Sequence, residues 1–147
     1  MSINKNKTII EKSKKQAEWY ILDAEQYKLG RLTSKVAYIL KNKNKINYLP
    51  YQEGNSHIII INSKKVQTTG NKSKQKIYKK HSGRPGGLKT EIFEKLQNRL
   101  PNRIIEHALK GMLPKNSLGR RLFKKVKIYP DQDHPHQSQN PLKINID

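Results

Sequence analysis

The stretch His57-Ile58-Ile59-Ile60-Ile61-Asn62 decides the reading of this chain. Four consecutive isoleucines leave no polar face for either a surface helix or a half-exposed strand. A continuous apolar run of β-branched residues suits a strand buried on both faces, as in a parallel sheet. Parallel pairing needs a crossover, and the sequence just upstream supplies one. Trp19-Tyr20-Ile21-Leu22 reads as a short strand, and the loop after it ends at Gly30. A helix follows over about 31–42, with Leu32, Val36, Ile39 and Leu40 on one face. Pro50 and Gly54 mark the connection into the isoleucine strand.

Downstream, Val66 to Thr69 reads as a further short β stretch, ended by Gly70-Asn71. The glycines and proline between Gly83 and Gly87 disfavour regular structure through the centre of the segment 71–89. Thr90 reads as a helix N-cap with Glu91 and Glu94 in the first turn. Pro101 breaks that helix and suits the first position of the next, whose stripe is Ile104, Ile105, Ala108, Leu109 and Met112. Asn116 to Lys125 forms a short basic helix and Val126 to Tyr129 a last strand. The expected organisation is a basic N-terminal extension over 1–16, one α/β domain over 17–130 and an extended tail over 131–147.

Charge is the strongest functional signal. The 147 residues hold 31 Lys+Arg against 11 Asp+Glu, a net +20, and only 33% are hydrophobic. A modest core carrying that self-repulsion implies a polyanionic partner. No acid occurs between Glu53 and Glu91, where Lys64, Lys65, Lys72, Lys74, Lys76, Lys79, Lys80, Arg84 and Lys89 lie. A second acid-free gap, Glu106 to Asp131, holds Lys110, Lys115, Arg120, Arg121, Lys124, Lys125 and Lys127. Two separated blocks predict a wide basic surface. Tyr78, His81 and Phe123 are interleaved with them, and such rings can stack on unpaired bases. His134 and His136 are placed to reach phosphate or base edges.

Other chemistries are excluded in turn. Cysteine is absent, so there is no disulfide, thiol nucleophile or Cys-ligated metal. Gly70-Asn71-Lys72-Ser73 lacks the spacing of a nucleotide-binding P-loop, and no Gly-x-Ser-x-Gly elbow occurs. Asp131, Asp133, His134 and His136 form a metal-like group, but an exposed tail lacks the supporting shell that fixes ligands. No apolar run approaches the ~18 residues of a membrane span. The polar start lacks the apolar stretch of a secretory signal, so the chain is expected to work where it is made. Lysine numbers 25 against 6 arginines, with 13 asparagines and 17 isoleucines, a bias that fits an AT-rich genome: plastid, mitochondrial or bacterial.

The motifs also occur in a familiar order. Trp19 to Ala24 with Leu29-Gly30-Arg31-Leu32 is followed by Tyr48-Leu49-Pro50, the isoleucine strand and Thr69-Gly70-Asn71-Lys72. Then come the His81 to Lys89 loop, Leu109-Lys110-Gly111-Met112-Leu113-Pro114-Lys115-Asn116, Leu118-Gly119-Arg120 and His134-Pro135-His136. This series resembles the large-subunit ribosomal protein family L-thirteen over about residues 18–141, and the His81 to Gly87 loop resembles its cyanobacterial and plastid members. Asn55 and Thr33 depart from its usual Asp and Ala. The resemblance implies a three-layer α/β/α domain around a small, mainly parallel four-stranded sheet, with extended tails. It implies binding to large-subunit rRNA beside neighbouring ribosomal proteins, early in subunit assembly. No catalysis, cofactor, metal or small-molecule substrate is implied. With the composition it favours a chloroplast ribosome, the alternative being the cytoplasm of an AT-rich bacterium. The expected RNA-binding set is Arg31, Tyr78, His81, His134 and His136 together with the basic residues of the two blocks other than Lys110 and Lys127. Two other readings are a DNA-compacting basic protein and a metal-dependent nuclease built on Asp131, Asp133, His134 and His136.

Overall fold

The computed structural model describes residues 17–145, so the expected extension over 1–16 lies outside the described residues. In chain order the elements are β1 (Glu18–Asp23), α1 (Leu29–Leu40), β2 (Ser56–Ile61), α2 (Lys72–Gln75), β3 (Ile77–His81) and β4 (Leu88–Ile92). The order continues with α3 (Phe93–Arg99), α4 (Pro101–Met112), α5 (Ser117–Lys124), β5 (Val126–Ile128) and β6 (Leu142–Lys143). The isoleucine strand β2 is central to a four-stranded sheet of order β5-β2-β1-β6. All three pairings are parallel, with Ile59 opposite Ile21 on one side and Lys127 on the other. The expected α/β class with a parallel four-stranded sheet is what forms.

Burial follows the strand period. Leu22, Ile58 and Ile60 enter the larger core with Leu32, Val36 and Leu40 of α1, Ile104, Ile105 and Leu109 of α4, and Leu122 of α5. Ile21, Ile59 and Ile61 form a smaller cluster on the opposite face with Trp19 and Tyr129. Ile58, Ile59 and Ile60 are each fully buried, which is why the run shows no alternation. Pro101 stands at the first position of α4, as its fixed φ and missing N–H favour.

Three expectations need correction. Val66 to Thr69 is not a strand of the sheet; it makes only a bridge between Gln67 and Lys28. Asn62 adopts φ +57°, and a 3-10 turn at Ser63–Lys65 leads the chain off the sheet. Val66 is then buried, and the Gln67 carbonyl accepts from the Leu29 N–H at the start of α1. Thr90 is not an N-cap: β4 runs through it, and α3 begins at Phe93, whose ring is fully buried and whose backbone N–H donates to the Lys76 carbonyl. The fourth strand of the sheet is β6, from the segment expected to be an extended tail, and it lies against β1.

The long basic segment is also more ordered than its composition suggests. β3 and β4 pair antiparallel, Ile77 with Ile92 through His81 with Leu88. The glycine-rich centre is their turn. Ser82 N–H donates to the Gly87 carbonyl and Gly87 N–H to that of Arg84. Gly83 and Gly86 adopt φ +86° and +70°, values that side chains with a Cβ resist. Of the ten residues of the two strands, only Tyr78 and Glu91 turn partly inward, so an alternating hydrophobic signal is missing.

Candidate nucleic-acid interface

The hairpin carries Lys79, Lys80, His81, Arg84 and Lys89, and α2 before it carries Lys72 and Lys74, with Lys76 at its end; all are exposed. Tyr78 anchors the hairpin. Its ring meets His107 of α4 edge-on at 5.3 Å and lies 6.3 Å from Phe93. The Lys76 ammonium sits 5.3 Å from the same ring. The Tyr78 hydroxyl is buried without a hydrogen-bond partner, and burial raises its pKa. Beside it a concavity of about 640 Å³ is lined by Lys79, Lys80, Lys89, Arg99, Arg103 and His107 among others. Glu91 also lines it, but Arg99 holds that carboxylate at 2.6 Å and lowers its pKa, so its charge is neutralised locally.

The second basic block sits on α5. Asn116 caps the helix, its side-chain oxygen accepting from the Gly119 N–H at 2.9 Å. Leu122 is buried and Leu118 partly so, which leaves Arg120, Arg121 and Lys124 exposed. Neither arginine has an ion-pair partner among the described residues. A second concavity, about 440 Å³, is lined by Lys110, Lys115, Arg120 and Lys124 with the Phe123 ring, over which Lys110 lies at 4.7 Å. A third, about 760 Å³, joins Lys28 and Arg31 at the start of α1 to Thr68, Thr69, Lys72 and Lys76, and to Ala108 and Met112 on α4. The C-terminal half of α4 therefore stands between the two blocks: Lys110 faces one concavity and Met112 the other.

Other candidates are engaged within the fold. Lys64 pairs with Asp131 at 2.9 Å and Lys65 with Glu25 at 2.9 Å, both at the surface. Exposed pairs of this kind are weak and leave the lysines available to a stronger anion. Lys125 belongs to the second acid-free block and is expected to be exposed there. Instead it is turned inward, with its side chain 16% exposed, an ion pair to Glu53 at 3.0 Å and a hydrogen bond to the Gly54 carbonyl. A surface helix end next to a buried strand has room for one such inward lysine stem. His134 and His136 do not hang free. The His136 Nε2 lies 2.8 Å from the Tyr129 hydroxyl, and its ring is 5.4 Å from Trp19, which stacks on His57 at 4.5 Å. His57 has a lowered pKa, chiefly through burial and then through Lys125 and Lys127. Asp131 pairs at the surface with Lys64, and among the described residues no group of three or more acids and histidines is arranged to hold a metal.

Lys28 and Arg103 line the concavities, yet neither was singled out from sequence. Lys28 precedes the Leu29-Gly30-Arg31 motif, and that position was the available signal. Arg103 lies outside both acid-free gaps, three residues before Glu106, and gave none.

One family model and several relatives match most of this chain. The family model described as ribosomal protein L13 matches residues 17–135. The chain is 55% identical over 131 residues to the large ribosomal subunit protein uL13 of Nostoc sp., covering 89% of this chain and 87% of that protein. It is 57% identical over 129 residues to the uL13 of Rippkaea orientalis, covering 88% of this chain and 85% of that protein. With the uL13 of Thermosynechococcus vestitus the identity is 54% over the same coverage.

Proposed function

The chain belongs to the ribosomal protein L13 family and is a structural constituent of the large ribosomal subunit; from that premise we propose how it holds rRNA. Its two basic blocks act as one surface around the end of α4, neutralising phosphates where rRNA segments crowd together. The observation that supports this most directly is the convergence of Arg31, Lys72 and Lys76 from one side and Lys110, Lys115, Arg120 and Lys124 from the other, with no carboxylate lining either concavity among the described residues. The folded domain gives these charges a fixed shape, so affinity does not wait on ordering a flexible tail. The hairpin adds its own cations and the Tyr78 ring. The role is structural, in early assembly of the subunit beside neighbouring large-subunit proteins. A plastid ribosome is the proposed setting, on the Lys, Asn and Ile bias together with cyanobacterial relatives.

Endogenous protein should co-sediment with the large subunit after a high-salt wash, and in plastid rather than cytoplasmic fractions. Release by the wash would overturn stable incorporation. Tighter binding to duplex DNA than to folded rRNA would favour a DNA-compacting role instead.

A further inference from the structure

The cavity between α1 and α4 has a chemistry of its own. Lys28 and Arg31 at the start of α1, and Lys72 and Lys76 of α2 and its end, line it together with Thr33, Thr68 and Thr69, and among the described residues no acid lines it. The Lys28 ammonium donates to the Gln67 side-chain oxygen and that of Lys72 to the Thr69 hydroxyl, so both are positioned by neutral partners. Gly30 lines the same cavity. A Cβ at Gly30 would meet nothing within 4 Å, and its φ is not positive. The same holds for Gly111 on α4. Glycine weakens a helix, so neither the backbone nor the neighbours in this fold account for it at these two sites. Gly111 lies between Lys110 and Met112, hence on the ridge separating this cavity from the one lined by Lys115, Arg120 and Lys124.

We propose that one RNA strand runs from the α1–α4 cavity over Gly111 to the α5 cavity, its sugar–phosphate backbone lying directly on bare helix backbone at Gly30 and Gly111. The four cations hold phosphodiesters, and the two glycines set how close the strand can come. A Cβ at either would hold it off by a methyl group and lengthen the charge-assisted hydrogen bonds on which the cations depend. This inference rests on the rRNA-binding reading above.

The test uses the full chain and the large-subunit rRNA segment it binds. Gly30→Ala and Gly111→Ala should each weaken binding about tenfold while the melting temperature stays level or rises. Lys72→Ala with Lys76→Ala should weaken it too, and Tyr38→Phe, exposed two turns further along α1 and lining none of the three concavities, should not. In hydroxyl-radical footprinting, Gly30→Ala and Lys72→Ala should lose protection of the same short run of nucleotides. Wild-type affinity in both glycine variants, with the lysine variant impaired, would overturn the glycine track and leave the rRNA reading standing. Loss of protection at unrelated nucleotides would also overturn the track. No preference of the wild-type chain for rRNA over duplex DNA would overturn both.

Discussion

Gly119→Ala is the substitution whose effect the structure fixes best. Gly119 is buried in the first turn of α5, and a Cβ there would lie 1.8 Å from the Pro114 carbonyl oxygen and 2.8 Å from its carbon. Ordinary contact begins near 3.4 Å, so something must move by more than an ångström. The obstacle is backbone, in the short link between α4 and α5, and that link is held by buried Leu113 on one side and Leu122 on the other. Overpacking of this kind costs up to about 3 kcal/mol, against which alanine's better helix propensity returns at most about 1 kcal/mol. A net loss of about 2 kcal/mol should lower the melting temperature of a chain this size by roughly 4–8 °C. Thermal unfolding followed by circular dichroism measures this directly, with Gly111→Ala as the partner experiment: same substitution, open surroundings, no loss. A Gly119→Ala protein melting at or above wild type would show that the link yields freely. The close approach of α5 to Pro114 would then not position Arg120 and Lys124.

Further outcomes are expected. Arg120→Ala with Arg121→Ala should leave stability within ~1 kcal/mol and make the salt dependence of rRNA binding shallower by about 0.7 or more in log–log slope; an unchanged slope in filter binding would show that α5 faces protein or solvent. Lys125→Ala should destabilise the fold, because it strands Glu53 and the Gly54 carbonyl, whereas Lys124→Ala should affect binding alone; equal melting temperatures would refute that division. His57 should titrate below 6.5 by proton NMR, since burial and two lysines disfavour its cation. Its depressed pKa means the unfolded chain takes up the proton first, so this contribution to stability is complete above about 6.5 and is lost as pH falls through the folded value. A His57 midpoint at or above 6.5 would contradict the packing against Trp19.

The strands and helices that form the core were legible because burial there follows chain periodicity. The isoleucine run, the α1 stripe and Pro101 at the start of α4 each carry a local signal that tertiary packing leaves unchanged. The β3–β4 hairpin was not legible, because its strands are mostly exposed and lysine-rich and only Tyr78 and Glu91 turn partly inward. Thr90 and Glu91 imitate a helix start, but the strand pairing of Thr90 with Lys79 and the burial of Phe93 move the boundary two residues on. The two basic blocks could be read from charge alone. That they meet at α4 could not, since it depends on how α1, α4 and α5 pack. Lys125 shows the limit on single residues: helical spacing places it beside Arg121, but whether its stem turns in depends on Glu53 and Gly54, far away in sequence.

The strand order β5-β2-β1-β6 also sets a timetable for synthesis. The ribosome makes the two inner strands first, and β2 is complete by Ile61. β5 begins only at Val126 and β6 at Leu142, so both flanks of the inner pair emerge unprotected. Open parallel edges bearing four isoleucines are an invitation to pair with a neighbouring nascent chain. Mutual repulsion between growing chains opposes such encounters, and it strengthens during that interval as the two acid-free basic blocks emerge. The excess of lysine would then guard the half-made sheet before any RNA reaches it.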